Sequence, residues 1–237
     1  MNEHLSATIV GNPALTRAIV TIDGIDGSGK STFARRLQAI LGARAVLFSV
    51  DDFRRPVDWS RTDRSELDLY YQQRYDLAAL DGCLRAFVEG HPGCRIQIFD
   101  GNQEILTGVG EMTFGAAEVA IVEGVFVARL RCAPDAFSIF IDVPREEAAA
   151  RVRKRDLGKG RTEDEVERRT NKRYFPAHDR YLNELQARER AAVLIENRDG
   201  QRPRMVRARL PDGPGWAVVR RALEDLLLDA PAVDGGR

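Results

Sequence analysis

The stretch Gly24-Ile25-Asp26-Gly27-Ser28-Gly29-Lys30-Ser31-Thr32 decides how the rest of this chain is read. The apolar run Ala18-Ile19-Val20-Thr21-Ile22 precedes it and reads as a buried strand. Lys30 to Leu41 follows it, with Phe33, Leu37, Ile40 and Leu41 at helical spacing. Strand, glycine turn and helix are the setting in which such a loop cradles phosphate. The glycines let successive backbone N–H groups point inward at phosphate oxygens, and the helix adds its positive N-terminal end. Lys30 supplies a point charge for the β- and γ-phosphates, and Ser31 a hydroxyl for Mg²⁺. The predicted triphosphate-binding set is Gly24, Asp26, Gly27, Ser28, Gly29, Lys30, Ser31 and Thr32.

Composition narrows the class. The 237 residues, 43% of them hydrophobic, suit one large α/β domain or one domain carrying a small mobile subdomain. Lys+Arg and Asp+Glu both number 36, so no overall basic surface points to nucleic acid as a partner. Cys83, Cys94 and Cys132 are an odd number without framework spacing, which fits a reducing compartment. His91-Pro92-Gly93-Cys94 holds half the residues of a metal site without a second pair, and reads as a turn with a buried thiol. Met1-Asn2-Glu3-His4 lacks the basic-then-apolar plan of a signal peptide, and Val119 to Leu130 is broken by Glu123 and Arg129. The expectation is a cytoplasmic protein with no membrane partner; a homo-oligomer is compatible with the chain but not specified by it.

Strand and helix patterns alternate, the mark of a parallel sheet covered on both faces. Ala45 to Val50 reads as a second strand ending at Asp51-Asp52-Phe53, and 54–65 as an arginine-rich loop with Pro56 and Trp59. One helix is predicted over about 66–88, then a hairpin of 95–99 with 107–113. Buried strands follow at 118–123, 138–143 and 191–196, the last taken as the final core strand. Pro144 is placed to open a helix, and a closing helix runs from about Pro214 to Leu228.

Ligands in open parallel sheets sit at the carboxyl ends of strands, and three oxygen-bearing side chains fall there: Ser31, Asp51 and Glu123. Glu123 closes an apolar strand, as does the acidic element with which P-loop enzymes hold Mg²⁺. Asp51 is read as facing the γ-phosphate from the acceptor side, where a carboxylate can take a proton from an attacking hydroxyl; its other reading is a turn cap. The predicted metal set is Ser31, Asp51 and Glu123. Between Arg151 and Arg161 lie six basic groups and two glycines, a pattern that beside a phosphate-binding loop reads as a closing lid over the transferring phosphoryl group, its other reading being a solvated basic turn. His178 reads as an ordinary helix-surface histidine.

Four segments in order resemble the uridine kinase and phosphoribulokinase group of P-loop kinases. They are Gly-Ile-Asp-Gly-Ser-Gly-Lys-Ser-Thr (24–32), Ser-Val-Asp-Asp-Phe (49–53), Val-Ala-Ile-Val-Glu-Gly (119–124) and Arg-Lys-Arg-Asp-Leu-Gly-Lys-Gly-Arg (153–161). The resemblance spans about residues 18–200. It implies a P-loop NTPase-type parallel β-sheet of about five strands flanked by helices, with a small helical lid. It further implies phosphoryl transfer from ATP, with Mg²⁺, to a hydroxyl of a small molecule. Asp51 matches the family's catalytic base, Glu123 its second acid, and Arg155, Lys159 and Arg161 its lid basics. The catalytic set is then Asp51, Lys30, Arg155 and Arg161, and the substrate set Asp51, Phe53, Arg54, Trp59, Phe99 and Arg155. A single domain is expected over 1–228, with the lid at about 151–162, an acceptor-site insertion at about 52–115 and a disordered tail at 229–237.

The acceptor pocket departs from the uridine kinase pattern. The stretch Phe99-Asp100-Gly101-Asn102-Gln103-Glu104 has no His where the base is read, and Arg54 stands where an aromatic commonly follows. A nucleoside or related ribosyl metabolite is the first expectation. Sugar phosphates, glycerate, pantothenate and nicotinamide riboside are the alternatives, and Arg54, Arg55, Arg64 and Arg74 would suit an acceptor already carrying negative charge. A guanine-dependent switch is disfavoured, because Asn171-Lys172-Arg173-Tyr174 lacks the Asp of a guanine-reading motif.

Overall fold

The computed structural model describes residues 17–101, 103–198, 203–209 and 214–228. The apolar run before the glycine loop forms β1 (Ala18–Asp23), and the loop opens directly into α1 (Lys30–Leu41). Then come β2 (Ala45–Ser49), α2 (Glu66–Gln73), α3 (Leu77–Val88), a hairpin of β3 (Gly93–Asp100) and β4 (Ile105–Thr113), β5 (Val119–Glu123) and β6 (Phe137–Asp142). The remainder comprises α4 (Arg145–Leu157), α5 (Glu163–Arg169), α6 (Phe175–Leu185), α7 (Ala187–Arg190), β7 (Val193–Glu196), β8 (Arg204–Ala208) and α8 (Pro214–Leu228). The main sheet runs β2-β5-β1-β6-β7-β8. Its first five strands are parallel, and β8 adds to β7 antiparallel.

The faces of β6 show how the sheet is buried. Ile139 and Ile141 pack with Phe33 and Leu37 of α1 and Leu223 and Leu226 of α8, while Phe140 between them packs with Val152 of α4 and Tyr181 of α6. Successive strand residues face opposite sides, so an unbroken apolar strand requires a helix layer on each side. A third cluster, Phe48, Val122, Leu80, Leu84 and Phe87, seats α3 against β2 and β5.

Four expectations are corrected. The helix predicted over 66–88 is two. Asp76 accepts from the Ala79 backbone N–H as the cap of α3, while the backbone of 74–76 pairs with that of 53–55 through Arg55 N to Arg74 O at 2.8 Å and Asp76 N to Phe53 O at 2.7 Å. Arg74 and Tyr75, in this break, line a cavity described below. The final strand of the sheet is β8, beyond β7. Cys83 and Cys94 are joined by a disulfide that ties α3 to the hairpin, leaving Cys132 as the free cysteine among the described residues. His178 is buried against Phe140 and Tyr181, and burial pushes its pKa down to about 3. The tail 229–237 and Asn102 lie outside the described residues. No described helix is long and apolar enough to cross a membrane.

Candidate active site

The glycine loop is shaped by what surrounds it. Gly29 has φ +97°, and a Cβ there would lie 2.5 Å from Asn197 Nδ2; at Gly27, φ +84°, it would lie 2.5 Å from the Ala148 carbonyl oxygen. Any side chain at either position meets both backbone strain and a clash. Asn197 Nδ2 donates to the Ser28 carbonyl at 2.7 Å, anchoring the loop to the end of β7. Lys30 is buried, and its Nζ donates to the Gly24 and Ile25 carbonyls at 2.9 and 2.8 Å. The ammonium is therefore held over the concave side of the loop. Asp26, Gly27, Gly29, Lys30, Ser31 and Thr32 line a cavity of about 460 Å³, whereas Ser28 is fully buried and serves through its backbone.

Register explains the oxygen cluster at the mouth of this cavity. Ile22 and Ser49 both pair with Glu123 across the parallel ladders, so the ends of β1, β2 and β5 stand level. Ser31 Oγ donates to Glu123 Oε2 at 3.0 Å, and Ser49 Oγ to Oε1 at 2.6 Å. Hydroxyl and carboxylate oxygens are the hard donors Mg²⁺ takes, and the glycine cradle with the α1 N-terminus takes phosphate. The residues present thus fit both groups. Ser49 was not predicted as part of this cluster; its place at the end of β2 opposite Glu123 was the available signal.

Asp51 borders the phosphate cavity and also a second, narrower cavity of about 70 Å³. Its carboxylate lies 3.5 Å from the Tyr75 hydroxyl and 3.7 Å from Arg54 NH2. Burial, together with the carboxylates of Asp51 and Asp26, raises the Tyr75 phenol well above its usual range, so its proton stays on as a donor. Asp51, and not Asp52, faces both cavities. Phe53 is a correction: a 3₁₀ turn over Val50–Phe53 carries both of its apolar ends into the core beside Leu80 and Leu84, and Phe53 reaches neither cavity.

The predicted lid is the end of α4 and the turn after it. Arg155 borders both cavities, Lys159 does likewise, and Arg161 borders the second alone. Fully buried Asp156 holds two of them, through Arg155 Nε at 2.7 Å and Arg161 NH1 at 3.0 Å. Burial opposes the charge on Arg155, but Asp26 and Asp156 outweigh it and hold the guanidinium protonated. Arg151 borders the phosphate cavity and bridges the glycine loop to the end of β7, donating to the Gly27 carbonyl at 3.4 Å, the Asn197 carbonyl at 2.9 Å and the Arg198 carbonyl at 2.6 Å. Arg54 and Trp59 line the second cavity, and Phe99 lies beneath the guanidinium groups of Arg54 and Arg74. The sequence reading missed Glu104, Arg169 and Arg173 there. The four-residue spacing of the two arginines was a visible sign, without a partner segment to interpret it.

Asp23, at the end of β1, caps the Gly24 N–H at 2.7 Å and accepts from Tyr181. Burial raises its pKa from 3.8 to about 6. The folded state therefore holds this proton more tightly than the unfolded chain, and the associated stability is lost as pH rises through about 4 to 6. Relative to Asp23→Asn, the wild type is expected to lose on the order of 3 kcal/mol across that window. Denaturant titrations at both ends of the window check this; parallel pH curves for the two proteins contradict it.

Residues 20–172 match the family model described as AAA domain. The chain belongs to that AAA-domain family. Among solved structures, this AAA-domain protein is similar to one from Bacillus stearothermophilus reported as a possible uridine kinase, with TM-score 0.58 and 22% identity over 75% of this chain and 88% of that one. It is similar to a Silicibacter protein provisionally described as a fructose transport system kinase, with TM-score 0.58 and 23% identity over 73% and 88%. It is also similar to phosphoribulokinase from Rhodobacter spheroides, with TM-score 0.55 and 14% identity over 76% and 70%. At these identities the likeness is one of fold, and the fold is the P-loop NTPase type expected: a mostly parallel sheet flanked by helices.

Proposed function

We propose that this AAA-domain protein is an ATP- and Mg²⁺-dependent kinase that transfers the γ-phosphoryl group to a hydroxyl of a small metabolite. The observation that carries the reading is Asp51 on the wall common to the phosphate cavity and a second, separate cavity. A hydrolase needs no second chamber beyond its water. The similar solved structures are described as kinases, two of them provisionally, which supports the same class. The resemblance in sequence favours a ribosyl acceptor such as a nucleoside, with phosphorylated sugars, small acids and nicotinamide riboside as alternatives.

Bound ATP with Mg²⁺ supplies the transferable phosphoryl group and offsets its charge. The chain's own part is positional and electrostatic. Lys30 and the loop amides hold the phosphates, Ser31 and Glu123 present oxygens to the metal, and Asp51 orients the acceptor hydroxyl. As the acceptor oxygen bonds to the γ-phosphorus, the bond from that phosphorus to the β,γ-bridging oxygen breaks, ADP leaves with the electron pair, and the hydroxyl proton passes to Asp51. Arg155 and Lys159 face the charge that develops, and Arg161 stands on the acceptor side.

The test is ADP formation across nucleosides, sugar phosphates, glycerate and pantothenate. One acceptor is expected to raise turnover far above the acceptor-free rate. A rate indifferent to every acceptor overturns the reading in favour of hydrolysis.

A further inference from the structure

The two cavities share Asp26, Asp51, Tyr75, Arg155 and Lys159. Beyond that shared wall the charges of the second cavity are one-sided: Arg54, Arg74, Arg161, Arg169 and Arg173 face a single acid, Glu104. The carboxylates that hold three of these arginines stand behind them rather than on the wall. Glu66 takes Arg173 Nε at 2.5 Å, Glu165 takes Arg169 NH2 at 2.5 Å, and Asp156 takes Arg161. A guanidinium has five N–H donors and a carboxylate engages at most two of them, so fixing an arginine from behind leaves donors for a ligand.

Burial sharpens the point. The side chains of Arg173 and Arg74 are 3% and 8% exposed. Each of these guanidinium charges is answered by a carboxylate, Arg173 by Glu66 and Arg74 by Glu104, so both are held in fixed positions on the wall. The π-helical turn Thr170–Tyr174 sets Arg173 and Tyr174 on this wall, with Arg169 at its N-terminal edge. Such turns are frequent at functional sites.

Aromatic surface for a nucleobase is correspondingly scarce. The Trp59 ring carries Arg173 at 3.5 Å from its centroid, and the Phe99 ring carries Arg74 at 4.9 Å. Tyr70 packs on Tyr174 at 5.4 Å and on Tyr75 at 5.8 Å. Trp59 is thus a platform for an arginine.

We infer that the acceptor is a compact metabolite that already bears a phosphate or carboxylate, which Arg169 and Arg173 receive while its hydroxyl lies against Asp51. The inference rests on the kinase reading and narrows its acceptor class.

Matched pairs test it: ribose with ribose 5-phosphate, a nucleoside with its 5′-monophosphate, and glycerol with glycerate. The first two pairs probe phosphate and the third carboxylate. The anionic member of at least one pair is expected to have the higher kcat/KM, by about tenfold or more, the scale of one charge-assisted hydrogen bond. Arg173→Gln should raise KM for that member more than it lowers kcat and shrink the discrimination. Because Arg173 is buried, Arg169→Gln, at a side chain 19% exposed whose partner Glu165 is itself partly exposed, is measured beside it as the less disruptive change. Neutral members used as well as, or better than, their anionic partners overturn the inference while leaving the kinase intact. If no pair is phosphorylated, the six compounds are titrated into protein loaded with Mg²⁺ and a non-hydrolysable ATP analogue. Anion binding that Arg173→Gln or Arg169→Gln weakens then sustains the anion site, while the kinase reading stands or falls on the wider acceptor screen; no anion binding overturns the inference.

Discussion

Asp51→Asn is expected to keep its affinity for an ATP analogue and to lose acceptor phosphorylation by at least ~10²-fold, the usual effect of removing a general base. Asparagine preserves the shape of the side chain and can still accept from Tyr75, so geometry at the junction of the two cavities is retained. What disappears is the group that takes the hydroxyl proton. The carboxylate is 61% exposed and its only described ion-pair partner is Arg54 at 3.7 Å, so stability should change little. Asp52→Asn is the internal control: Asp52 borders neither cavity and should cost no more than a few-fold. Equal activity of Asp51→Asn and wild type contradicts the assignment.

Lys30→Met is expected to remove about 10²–10³-fold of turnover, the scale for deleting one preorganised charge from a phosphoryl-transfer site. Methionine keeps most of the apolar stem but leaves the Gly24 and Ile25 carbonyls without the donor they share. The variant therefore loses both the charge on the phosphates and a clip across the loop, and ATP affinity should fall along with kcat. Lys30→Arg should not rescue it. The position is 8% exposed, and a planar guanidinium cannot replace a compact ammonium between two carbonyls. Wild-type ATP affinity in Lys30→Met, measured by calorimetry, contradicts this role.

Much of the frame was legible because local signals there agree with tertiary structure. The loop glycines are dictated by φ and close contacts, the core strands read as apolar runs because both faces are covered, and α1 begins at the lysine its spacing predicts. Legibility falls where neighbours in space decide. Phe53 follows two acids at a strand end, yet the 3₁₀ turn places it with Val50, three residues back, facing the core. Helix α2 stops at Gln73 and α3 starts after its cap Asp76, with the backbone of 74–76 between them pairing to that of 53–55. Strand β8 is a short edge with mostly exposed residues, so it carries little apolar pattern. Cys83 and Cys94 meet because α3 packs on β3, which no interval between them announces. Arg173 lies on a π-helical turn with Arg169 just before it, and the cavity wall they join is completed by Tyr70 of α2 and by Trp59 of the 54–65 loop.

The most direct test follows the γ-phosphoryl group itself. With γ-labelled ATP, Mg²⁺ and the acceptor that most accelerates ADP release, the label should appear as a phosphate ester on that acceptor, in step with ADP, and Asp51→Asn should abolish it. Label recovered only as inorganic phosphate, at a rate unaffected by any acceptor, would contradict a kinase and leave a nucleotide hydrolase.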